Sequence, residues 1–171
     1  MRCLLITAVV LAAASPASAS TFSGSCHLAG TVAFDPPLTN SPQPITQLAR
    51  LTGTCDGRFV DAHHRAHELS GAPVTDTGWS EAPAGSCTAG TADGFGTLTF
   101  PYGRIRFRLS ETRVAAFPLL TFDGRRSGSA RAAATPSMSQ DPVAALQACA
   151  GAGLTAFAID ARLQTMPQIS G

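Results

Sequence analysis

The chain contains no lysine and a single asparagine, Asn40. With alanine, glycine and arginine so frequent, this usage reads as codon bias from a GC-rich genome and says nothing of function. No C-x-x-C pair occurs, and no two of Cys26, Cys55, Cys87 and Cys149 stand close together, which argues against a structural zinc site. No G-x-S-x-G segment occurs either. The Gly-Ser pairs at Gly24-Ser25, Gly85-Ser86 and Gly128-Ser129 sit in turn-like or strand contexts, so a serine nucleophile has no support. Only three glutamates are present, Glu68, Glu81 and Glu111, and each reads as strand or turn surface. The sequence singles out no carboxylate pair for glycoside chemistry. Aromatics make up 6% of the chain, and its one Trp and one Tyr do not obviously adjoin the arginines at 104–108, where single-stranded nucleic acid would want stacking partners.

Long apolar runs are also missing. Cys3–Ala14 is the longest, and it is too short to cross ~30 Å of hydrocarbon as a helix. It follows Met1-Arg2 and precedes Ala17-Ser18-Ala19. A charged start, a short apolar stretch and an A-x-A end mark residues 1–19 as a removable secretory signal. Ser20, not cysteine, stands at the cleavage point, so a lipid anchor is not expected. Residues 20–171 then form a single domain without a membrane span, secreted and extracellular. The formal net charge of +1 falls to zero once Arg2 leaves with the signal, which disfavours bulk polyanion binding.

What the chain does have is an even set of cysteines and a recurring alternation. Four cysteines in an oxidising compartment favour two disulfides, with three pairings possible. Antiparallel partners in one hairpin share a constant sum of residue numbers. A hairpin centred in the turn-rich segment Asp35–Pro44 sets Cys26 opposite Cys55, which leaves Cys87 for Cys149. Strand pattern is clearest in Arg104–Ser110, where Ile105, Phe107 and Leu109 face one way and Arg104, Arg106 and Arg108 the other. Phe95–Phe100 forms a hairpin with it through Pro101-Tyr-Gly103. Further strands are expected at 22–34, 45–60, 65–71, 86–92, 114–122, 127–134 and 154–165. One helix is expected over 141–151, with Asp141 as N-cap, Pro142 at the first turn, and Val143, Leu146, Cys149 and Ala150 as the buried stripe. The fold class is therefore mainly β: an antiparallel meander closing as a β-sandwich or a barrel, with a short helix before the last strand.

Three groups of side chains invite a functional reading. His63, His64 and His67 fall within Asp61–Glu68 and could ligate a metal, or form a solvated hairpin tip. Arg104, Arg106 and Arg108, with Arg113, Arg125, Arg126 and Arg131, could form a basic face for phosphate or anionic glycan, or a solvated sheet face. Trp79 could stack on a sugar or anchor the core. The glycine-rich stretch Gly90–Gly96 lacks the setting of a phosphate cradle and reads as bulges or tight turns.

The stretches Gly53–Gly57, Gly94–Phe100, Arg104–Phe107 and Asp141–Cys149 resemble a family of small secreted β-rich proteins from GC-rich Gram-positive bacteria. The resemblance implies compartment and fold class, and carries no catalytic motif. The leading expectation is a secreted, non-enzymatic β-module with a binding or structural role and no cofactor. The alternative is a small apolar-ligand-binding or isomerase-like β-barrel. A histidine-cluster metal-binding protein comes third. The expected partner is a cell-surface component or a small apolar ligand, not nucleic acid.

Overall fold

The structure, a computed structural model, describes residues 19–114 and 117–171; residues 1–18 of the expected signal lie outside it. Eight strands follow in order: β1 (Thr21–Leu38), β2 (Gln43–Val60), β3 (Ala66–Gly85), β4 (Ala89–Phe100), β5 (Gly103–Val114), β6 (Phe117–Gly124), β7 (Ser127–Pro136) and, after helix α1 (Pro142–Ala150), β8 (Leu154–Ser170). Each strand pairs antiparallel with its neighbour in sequence, and β8 pairs with β1, so the sheet closes as a barrel. Closure gives every strand two paired neighbours. Eight strands enclose an interior that side chains can fill, or that can hold one small ligand.

The β1–β2 ladder has the anticipated register: Cys26 is opposite Cys55, and the two form a disulfide with their Cα atoms 4.1 Å apart. Cys87 and Cys149 form the second, with Cα atoms 6.1 Å apart. Two corrections concern strand length. β3 continues far beyond residue 71, and the segments expected at 86–92 and 95–100 are one strand, β4. Pro73 and Pro83 argue against a long β3 by sequence, but only Thr75–Glu81 pairs with β4. Their missing N–H groups therefore cost no β3–β4 ladder bond.

The interior is packed at both ends. At the end carrying the β2–β3 and β4–β5 turns, Phe22 and Phe59 each lie 5.0 Å from Phe100, ring to ring, beside the buried Cys26–Cys55 bridge. At the other end Phe34, Leu38, Ile45 and Ala82 surround Cys87 and Cys149. Helix α1 belongs to this second end. Asp141 caps it, accepting from the Val143 and Ala144 amides at 2.9 and 3.2 Å. The Cys87 bridge and the Asn40 amide, which donates to the Cys149 carbonyl, tie it down. Its buried residues are Ala145 and Cys149, whereas Val143 and Leu146 are exposed. The stripe expected by periodicity is displaced because α1 is held by one cross-link over the barrel end and does not lie along a sheet face. Among the described residues no helix is long and apolar enough to cross a membrane.

Candidate functional site

A cavity of about 450 Å³ opens in the interior beneath α1, with Phe34, Leu38, Cys87 and Cys149 of the second cluster among its lining residues. Small-molecule sites run from roughly 300 to 1,000 Å³ and are mostly apolar with a few placed polar groups. The walls here come from several strands: Phe34 on β1, Leu51 on β2, Leu109 on β5, Phe122 on β6 and Phe157 on β8. Pro142, Ala145 and Leu146 of α1 border it, so the helix covers one end. The space follows from side-chain size. Ala49 and Gly78 are cross-strand partners on inward rungs, and a Cβ built on Gly78 meets nothing closer than 3.7 Å.

Five inward polar residues interrupt the apolar lining: Gln47, Asp76, Ser80, Glu111 and Arg113. The alternation Ile105, Phe107, Leu109 continues on β5 to Glu111 and Arg113, only 8% and 9% exposed. Arg113 Nη2 donates to Glu111 Oε1 at 2.6 Å and to Gln47 Oε1 at 3.0 Å, and Nη1 donates to the Ser86 carbonyl at 3.3 Å. Its guanidinium also lies 5.5 Å from the centre of the Phe34 ring. Arg113 is thus held on several sides, which is what a buried charge requires to persist. Sequence reasoning put Arg113 on the outer basic face and Glu111 on the surface. The strand's own parity puts both inside.

Asp76 is different. Its cross-strand partners are Leu51 and Leu98, and Oδ1 is buried without a protein hydrogen-bond partner. Burial alone pushes its carboxyl up to about 7. It stands in Thr75-Asp-Thr77, within a segment whose Pro and Gly content suggests a loop. Only the inward parity of Val74, Asp76 and Ser80, visible once β3 is known to be continuous, identifies it.

The residues singled out by sequence lie elsewhere. The segment Asp61–Arg65 is neither strand nor helix but a turn built on Asp61. Its Oδ1 accepts from the His63 and Arg65 amides at 2.8 and 3.0 Å, and its Oδ2 from Arg65 Nε at 2.9 Å. These bonds, the Arg65 amide foremost, hold the Asp61 carboxyl well below the usual carboxylate range against the opposing effect of burial. His64 takes the left-handed conformation, φ 61°, in this turn. His67 lies 3.3 Å from Asp61 Oδ2 and stacks on Tyr102 with ring centres 3.9 Å apart. Among the described residues no three His, Cys, Asp or Glu side chains are grouped to hold a metal ion, so His63, His64 and His67 form no such centre.

Trp79, Arg104, Arg106 and Arg108 do share a surface, the outer wall of β3–β5. Leu48, Trp79, Phe95 and Arg108 form one rung across four strands, and Arg50, Thr77, Thr97 and Arg106 form an adjacent one. Trp79 and Phe95 are both exposed. The linear sequence hides this, since Phe95 meets Arg108 only through the β4–β5 register. Comparison with known protein families, curated proteins and solved structures finds no match for the chain.

Proposed function

We propose that the protein is an exported, non-enzymatic carrier or receptor for a small, predominantly apolar molecule held inside the barrel. The cavity of about 450 Å³ inside the barrel carries this reading. Its apolar walls favour burial of hydrocarbon at roughly 25 cal/mol per Å². The two disulfides and the leader-like N-terminal pattern support export. The test is titration with the neutral dye N-phenyl-1-naphthylamine. Native protein should enhance its emission saturably at one site per chain. Gly78→Leu, which directs a side chain into the open space, should abolish the enhancement while the circular dichroism stays that of a folded barrel. Dye binding unaffected by a correctly folded Gly78→Leu protein would refute an interior site.

The outer rung supports a second reading, contact with an anionic glycan through Trp79, Phe95 and the arginines. Quenching of Trp79 emission by a sulfated oligosaccharide, lost at high salt, would support it. No change in emission would remove it.

A further inference from the structure

The polar groups of the cavity divide into a satisfied set and an unsatisfied one. Arg113, Glu111 and Gln47 bind one another, and Arg113 also reaches the Ser86 carbonyl. Asp76 Oδ1 alone, among the described residues, is a buried side-chain oxygen or nitrogen without a partner. Buried polar atoms are almost always satisfied, because each orphan costs its lost hydration. Asp76 is also a lining residue of the cavity, which places its carboxyl where a ligand oxygen could supply the missing partner.

Its position defines the ligand further. Leu51 and Leu98 flank Asp76 on its own rung, and Gly78, two residues along β3, leaves the space beside it unfilled. The Gln47–Ser80 rung, where Arg113 docks, is four residues further along both strands, roughly 13 Å away. The titratable groups lining the cavity are Asp76 on β3 and Glu111 and Arg113 on β5; β1, β2, β6 and β8 contribute none. Because Glu111 and Arg113 neutralise each other, the cavity offers no free cation to a ligand anion.

We propose that Asp76 is the specificity-determining group of the cavity, its carboxyl O–H donating to a carbonyl, ether or hydroxyl oxygen at the inserted end of an uncharged, otherwise apolar ligand. This rests on the cavity being the ligand site. Burial keeps the Asp76 proton in place up to about pH 7, so the donor is present in mildly acidic and neutral solution.

The test is competition of 2-decanone and of decane against the neutral dye on native protein, Asp76→Leu and Asp76→Asn. At pH 5.5, Asp76→Leu should weaken the ketone about five- to tenfold, the range of one neutral hydrogen bond, and leave the hydrocarbon unchanged. Asp76→Asn, whose amide also donates, should restore the ketone. At pH 8.5 the native protein should lose its preference for the ketone while Asp76→Asn retains it. An equal response of both probes to Asp76→Leu, or a pH-independent preference in the native protein, overturns the assignment of Asp76 alone. Failure of native protein to bind dye, ketone or hydrocarbon overturns the ligand-cavity reading and this one with it.

Discussion

Asp76→Asn should make the protein more stable at neutral and alkaline pH. Below about 3.8 the carboxyl is protonated in both the folded and the unfolded chain, and the substitution removes no charge. Between 3.8 and about 7 the unfolded chain releases its proton and the folded chain keeps it. The unfolded state then binds fewer protons, so stability falls as pH rises through this window and levels off above it. Three units at 1.36 kcal/mol each give a loss of about 4 kcal/mol, all of it absent from the Asn variant. The assay is guanidinium unfolding of both proteins, disulfides intact, at half-unit steps from pH 3.5 to 9. Every other titrating group is common to the two, so the difference between their curves isolates Asp76. It should climb from its acid value to a plateau about 4 kcal/mol higher above pH 7. A flat difference, or one that climbs and saturates below pH 5, would show that Asp76 titrates as an ordinary carboxylate and that its environment is not apolar.

Three further outcomes are expected. Arg113→Met should destabilise by about 3–5 kcal/mol in denaturant unfolding, because Glu111 is left buried without its partner, whereas Arg113→Met with Glu111→Met should recover most of the loss. Cys87→Ala with Cys149→Ala opens a link between residues 62 apart and should cost roughly 4 kcal/mol; amide exchange should show the loss first in α1. Asp61→Asn should lower the melting temperature at neutral pH, and the gap should narrow as pH falls, since a carboxyl held low contributes stability above its unfolded pKa that is lost on protonation.

Local chemistry was legible where one signal sufficed. The hairpin sum placed Cys26 against Cys55, the Asp141-Pro142 pair marked the helix start, and the alternation at Ile105–Leu109 identified an inward face. Closure was not legible, because a sandwich and a barrel write the same period of two. Extending the alternation would have found Glu111 and Arg113, but a charged residue on an inward rung defeats a reading in which charge means surface. For Asp76 the obstacle was Pro73 and Pro83. Prolines break a strand only where a ladder bond is needed, and that depends on how far β4 runs alongside β3, which no local window contains. The histidine segment had two readings, a shared ion or a polar hairpin tip, and it forms the β2–β3 turn centred on Asp61.

The distribution of side-chain size explains how this barrel keeps an open interior. An unfilled interior forfeits dispersion contacts on every wall, so a closed sheet tends to fill it with large side chains. Here the Phe22, Phe59 and Phe100 rings fill one end beside Cys26–Cys55, while Phe34 and Leu38 beside Cys87–Cys149, with Leu109, Phe122 and Phe157, line the space and do not fill it. On its wall the inward Ala49–Gly78 rung leaves room, and the buried charged groups are one paired set, Arg113 with Glu111, and the Asp76 carboxyl. Each disulfide lies in one of the two clusters, and Cys87 and Cys149 also line the cavity, so that bridge ties α1 to its wall. A ligand entering that space restores the missing contacts, so its binding and the stability of the fold draw on the same apolar surface. Ligand should accordingly raise the unfolding temperature of the native protein and leave that of Gly78→Leu unchanged.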